Sequence, residues 1–230
     1  FTFGVGSAHT DTHNIVVNII NDRLLEASET FTVSGTVTSG LATLSGSNVV
    51  TITDDETGVF TFNLASDTAS EAVGTYNRFA RLTITGSGSG TTFRIQNAAS
   101  VVLTQTAGTA STPADYSLTT TTLNVPANAA SPLDMSFDVA IVNDSLVEAT
   151  DETFTIGFGA ITGPTNLSSS GTHVVTIDED DTAVVAFVAN NDTVAESIGS
   201  FSKDITLTLT TNPAGGSLAA DFVVPLTFTE

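Results

Sequence analysis

The chain has 230 residues, 25 of them acidic and five basic, for a formal net charge of −20. That balance repels nucleic acid and anionic membranes, so neither is expected as a partner, and no apolar run approaches the ~18 residues of a membrane span, so no membrane insertion is expected. Cysteine is absent, which removes disulfides, thiolate metal sites and cysteine nucleophiles, while 40% apolar content in alternating positions predicts a folded β protein rather than a disordered polyanion.

Phe1–Val5 and Ile15–Ile20 alternate as strands around the polar loop His9–His13. Alternate residues of an extended segment share a face, so His9, Asp11 and His13 could hold a transition metal; a solvated hairpin loop is the competing reading. Phe1 falls in mid-strand with no initiator methionine, which reads as a slice of a longer or processed polypeptide. Thr30–Val37 and Asn48–Ile52 predict two more strands, and Asp54, Asp55 and Glu56 end this first segment.

A new segment starts at Val59. Ser66–Gly74 (SDTASEAVG) matches Asn191–Gly199 (NDTVAESIG) at an offset of 125, and Ala114–Tyr116 (ADY) recurs as Ala220–Phe222 (ADF). Between them Gly86–Gly90 (GSGSG) has neither the spacing of a nucleophile elbow nor the lysine of a phosphate loop, and reads as a mobile hairpin tip. Strand-like stretches follow at Arg94–Thr104, Leu118–Val125 and Leu133–Val142. Ile141–Phe158 (IVNDSLVEATDETFTIGF) then repeats Ile19–Val33 (IINDRLLEASETFTV), and DEDD at 178–181, after the strand His173–Ile177, repeats the acids of ITDDET at 52–57. Superposing the repeats divides the chain into a C-terminal half-unit (1–57), a complete unit (58–182) and an N-terminal half-unit (183–230). A unit of roughly 120 residues with short strands and no helical periodicity predicts a β-sandwich.

The order E-S-I-G, A-D-F/Y, N-D-x-x-x-E and an acidic cluster after a final T-I strand resembles the Calx-β domain. That domain is an immunoglobulin-like sandwich of the sodium/calcium exchanger regulatory loop, also found in tandem arrays in adhesins and matrix proteins. The resemblance implies an all-β fold of tandem immunoglobulin-like sandwiches, one complete unit flanked by two partial ones, with Ca2+ as cofactor. Carried over position by position, it implies metal ligation by Glu71, Asp115, Asp144, Glu148, Glu152, Asp178, Asp180 and Asp181 in the complete unit. In the first half-unit it implies Asp22, Glu26, Glu29, Asp54, Asp55 and Glu56, and in the last Glu196 and Asp221. Calcium takes six to eight oxygens, a demand that carboxylates from several loops can meet. The competing reading is that these acids are merely solvated.

The expected function is a structural or adhesive module of the cell exterior, stiffened by calcium, in a surface array or filament whose partners are neighbouring copies or repeats. The split end units could complete one another head to tail. A calcium-sensing regulatory domain is the alternative. No catalysis is expected: there is no HExxH, no nucleophile elbow and no Cys/His pair, and the carboxylates bunch at turns rather than flank a groove. Asn143, Asn166 and Asn191 begin N-x-S/T tripeptides, a chance-level signal in so Ser/Thr-rich a chain.

Overall fold

Alternating Val, Ile, Phe and Thr put apolar side chains on one face of an extended segment and hydroxyls on the other, a pattern that suits a half-buried pleated sheet. In the computed structural model, which describes residues 1–148 and 150–229, the first segment contributes β1 (Leu24–Leu25), β2 (Glu29–Val33) and β3 (Asn48–Ile52). The middle of the chain contributes β4 (Thr57–Phe62), β5 (Ser66–Ser70), β6 (Thr75–Thr85), β7 (Arg94–Ile95), β8 (Ala99–Ala107) and β9 (Tyr116–Leu118). It continues with β10 (Thr122–Val125), β11 (Leu133–Ile141), β12 (Leu146–Val147), β13 (Glu152–Thr162), β14 (Leu167–Ser170) and β15 (His173–Asp178). The last segment adds β16 (Thr182–Phe187), β17 (Ile205–Thr210) and β18 (Ser217–Leu218). Ala149 in the acidic turn and Glu230 at the end of the last segment lie outside the described residues.

Two five-stranded sheets make the sandwich, ordered β14-β4-β6-β11-β9 and β10-β8-β13-β15-β5. β4 and β5 are consecutive in the chain but sit in opposite sheets, each as a parallel neighbour, to β14 and to β15. The crossing between them is pinned by Asn63 N donating to Phe79 O (3.1 Å) and Val174 N to Ala65 O (2.9 Å). Inward-facing Phe60, Leu82, Val101, Phe137, Ile156 and Val175 are all at most 1% exposed, and each such side chain contributes about 1.5–3 kcal/mol through burial. Tyr116 stacks on Phe154 at 3.8 Å between ring centroids.

His173, read from the sequence as a packing or solvated residue, is 1% exposed in this core. Its Nδ1 lies 2.9 Å from Leu64 O and its Nε2 lies 2.9 Å from Tyr76 Oη. A carbonyl can only accept, so Nδ1 carries the proton and Nε2 accepts from the tyrosine. Burial pulls its pKa below the ordinary histidine value and keeps the ring neutral.

The flanking segments meet the sandwich through two copies of one junction. In the first, β1 pairs in parallel with β7, Leu25 opposite Ile95, and both are fully buried. Arg94 N and Gln96 N donate to Arg23 O and Leu25 O, both at 3.0 Å. In the second, β12 pairs in parallel with β18, Val147 opposite Leu218. Ser217 N donates to Ser145 O (3.1 Å) and Ala219 N to Val147 O (2.9 Å). A glycine lies against the acidic turn in each: a Cβ on Gly88 or Gly216 would fall far inside 3.0 Å of the Asp22 or Ser145 carbonyl oxygen.

Two local expectations change. Gly86–Gly90 is not a free tip but part of the first junction, with Ser89 N donating to Asn21 O (3.1 Å) and Arg23 Nε to Gly88 O (3.1 Å). Alternation at Phe1–Val5 and Ile15–Ile20 does not give strands among the described residues; Val16 and Ile20 are each 82% exposed there. A strand needs a neighbour to take its backbone hydrogen bonds, and among the described residues no strand pairs with these stretches.

Candidate metal centre

One end of the sandwich gathers the acids because antiparallel neighbours bring alternate loops to the same edge. β5 ends there and runs into a short 3-10 turn (Glu71–Val73), β9 begins there after Asp115, β11 ends in the Asp144–Glu148 turn, β13 begins at Glu152, and β15 ends before Glu179. Glu71, Asp115, Asp144, Glu148, Glu152 and Glu179 line a single cleft, floored by Val142 and Ile177. Oxygens of Glu71, Glu179 and Asp180 all lie within 4.8 Å of one another.

Backbone amides hold the carboxylates in place. Glu71 Oε1 accepts from Asp144 N and Asp144 Oδ1 from Leu146 N, both at 2.7 Å. Glu179 accepts from Glu148 N (3.2 Å) and Asp181 N (2.7 Å). Asp115 accepts from the hydroxyl of Ser111 (3.0 Å).

The electrostatics are those of crowded anions without a counter-ion. Burial, reinforced by Glu179, Asp144 and Asp180 and opposed by the Asp144 amide, pushes Glu71 up to about 7. Burial, then Asp115 and Glu148, pushes Glu152 up to about 7; burial, then Glu179, raises Glu148. The ion pairs among the described residues, Arg78–Asp67, Arg81–Asp134 and Lys203–Asp192, include none of these acids. Arg23 and Arg94 spend hydrogen bonds on backbone carbonyls. Asp181 is 5% exposed and its Oδ2 is buried with no hydrogen-bond partner. An all-oxygen donor set from five segments, raised pKa values, no basic partner and an orphaned carboxylate oxygen fit a hard divalent cation such as calcium.

The first segment repeats the turn. Asp22 Oδ1 accepts from Leu24 N (2.8 Å) and Asp54 Oδ2 from Glu26 N (3.1 Å), as Asp144 and Glu179 do for Leu146 and Glu148. Asp54, Asp55 and Glu56 form the other compact acid group. Glu29 stands exposed at the start of β2; burial, then the Glu29 charge, raises Glu26. In the last segment Glu196 opens a 3-10 turn (Glu196–Ile198) like that of Glu71, but it and Asp221 are exposed and join neither acid group. His9, Asp11 and His13 are in neither group, and the ring of His13 packs edge-on against Phe3.

Within DEDD the cleft takes a residue that the sequence reading passed over. Ile177 is buried and Asp178, next along β15, is exposed; Glu179 returns to the inside. The period-two rule that sets strand faces also holds for the first residue beyond the strand, and could have flagged Glu179.

The Calx-beta domain model matches residues 2–56 and 53–181. The chain belongs to the Calx-beta domain family. These are calcium-binding domains, and Ca2+ is the ion that this centre suits. Among solved structures it is similar to the apo-form Calx CBD1 domain, at 19% identity over 54% of this chain and 99% of that one, with a TM-score of 0.41. It is also similar to the calcium binding domain CBD12 of CALX1.1, at 19% identity over 65% of this chain and 69% of that one, with a TM-score of 0.42. No curated protein sequence matches the chain.

Proposed function

We propose that this chain is a calcium-stiffened structural module of a repeat array at the cell surface or outside the cell, whose partners are neighbouring repeats or copies of itself. The observation that carries this reading is the junction built twice, β1 with β7 and β12 with β18. Domains of one chain ordinarily move relative to one another unless a large contact holds them. Here the strand that crosses to the next unit, Leu146–Val147, lies between two of the acids of the metal cleft, Asp144 and Glu148. An ion held by that turn would order the strand that links the units. Repetition of the same link favours an array in which each unit passes its orientation to the next.

The test is a thermal melt with calcium and with excess chelator, on the natural chain and on a Glu148→Gln, Asp180→Asn variant. A ligand that binds only the folded form raises the midpoint by an amount set by its concentration over its Kd. The expected result is a large calcium shift that the variant loses, together with a scattering profile that is extended and invariant once calcium is saturating. No shift in either protein would refute the calcium reading. A shift accompanied by a large change of overall shape at micromolar calcium would favour a sensor.

A further inference from the structure

The acid group at the first junction is closed by the unit that follows it. Asp54, Asp55 and Glu56 bring one oxygen each within 4.8 Å of one another. Glu56 is 2% exposed, and its Oε1 is buried without any hydrogen-bond partner. Gly86, in the loop after β6, presses on it: a Cβ there would stand 2.7 Å from Glu56 Oε1. From the other side comes Asn166, in the loop between β13 and β14. It donates from Nδ2 to Asp54 Oδ2 (2.7 Å) and to the Glu56 carbonyl oxygen (2.5 Å). Its own Oδ1 is buried and unpartnered. Two oxygens, one from each side of the junction, thus lie buried without a donor, and no arginine or lysine pairs with the acids among the described residues.

A carboxamide has a donor end and an acceptor end of nearly equal size, and its neighbours decide which faces them. Facing bare carboxylates, it must offer the nitrogen, which strands the oxygen. Facing a cation, it offers the oxygen. We propose that Asn166 is a cation ligand supplied across the junction: its amide oxygen joins Asp54 and Glu56 around one calcium ion held between the first segment and the unit after it. The inference rests on the calcium reading above and adds to it a site that neither unit completes alone.

Calcium titration calorimetry on the full chain tests it, beside terbium luminescence lifetimes that count the waters on the bound ion. The variants are Asn166→Ala, Asn166→Asp and Glu148→Gln. Asn166→Ala is expected to weaken one class of site by about tenfold and to add one water to its ion. Asn166→Asp is expected to restore both affinity and water count, which a merely structural role for the amide would not give. Glu148→Gln is expected to weaken the other class and spare the Asn166-sensitive one. Unchanged isotherms and lifetimes in both Asn166 variants, with binding still lost in Glu148→Gln, would overturn the proposal and leave the calcium reading standing. A natural chain that takes up no calcium would overturn both. Melting each variant in chelator checks that it is folded.

Discussion

Gly216→Ala isolates the second junction from the sandwich. Gly216 lies outside the left-handed region, so alanine is not strained there by conformation. What a methyl meets is the Ser145 carbonyl oxygen, far inside the 3.0 Å that real Cβ contacts keep, with Thr211 Cγ2 and the Ser145 carbonyl carbon also inside it. The loop or the turn must retreat, and either movement pulls apart the hydrogen bonds Ser217 N to Ser145 O (3.1 Å) and Ala219 N to Val147 O (2.9 Å). At about 1 kcal/mol net each, the loss is about 2 kcal/mol, or roughly 30-fold in the opening equilibrium. Native-state amide exchange reads this directly: the amides of Ser217 and Ala219 should exchange roughly 30-fold faster. Amides in the β6–β11 ladder, which the junction does not touch, should be unaffected. Unchanged protection at Ser217 and Ala219 would refute the claim that glycine is required there by proximity.

Tyr116→Phe should be neutral or stabilising by about 1 kcal/mol, because the tyrosine Oη is buried with no hydrogen-bond partner. The repeat itself places Phe222 at the corresponding position; a clear fall in denaturation midpoint would mean the hydroxyl is engaged. In chelator, stability should fall as pH rises from about 4.5 through 7. Glu71 and Glu152 are pushed up to about 7 in the folded protein, so between those values the folded state holds protons that the unfolded state has released, and raising pH favours unfolding. Saturating calcium takes the place of those protons and should flatten or reverse the slope, measured as melts at pH 5 and 7.5; a slope that calcium leaves unchanged would place the titrating acids away from the ion.

The sandwich was legible because most of its stretches are half-buried, and period-two alternation is the direct trace of half-burial. The same rule over-reads where apolar alternation lacks a partner strand, as at Ile15–Ile20. The site was legible as positions in a repeat: Glu71, Asp115, Asp144, Glu148 and Glu152 are brought together in one cleft. Glu179 was hidden among four adjacent acids, and only the inward turn of the chain after Ile177 singles it out. Asn166 had no such signal. It reads as one N-x-S/T tripeptide among three, and its contact with Asp54 spans 112 residues. Likewise GSGSG has the composition of a loose tip, and what holds it is Arg23 Nε on the Gly88 carbonyl and Ser89 N on the Asn21 carbonyl, contacts between units that no local pattern records.

The two junctions share a hydrogen-bond plan but not a hydrophobic one, and the magnitudes say that this matters. Ordering a turn costs about 1–2 kcal/mol per residue in backbone entropy, so five residues such as Asp144–Glu148 cost on the order of 5–10 kcal/mol. Two bridging hydrogen bonds offset about 2 of that. At the first junction Leu25 and Ile95, each fully buried, add about 3–6 kcal/mol together, enough to bring the balance near zero without any ion. At the second, Val147 and Leu218 are only partly buried, and their burial makes up correspondingly less. The turn's own hydrogen bonds, from Asp144 N to Glu71, Leu146 N to Asp144 and Glu148 N to Glu179, supply part of the remainder, and an ion on Asp144 and Glu148 would supply more. The second junction is therefore expected to lose more order than the first when calcium is removed, which amide exchange at Ala219 and Gln96 with and without chelator would read.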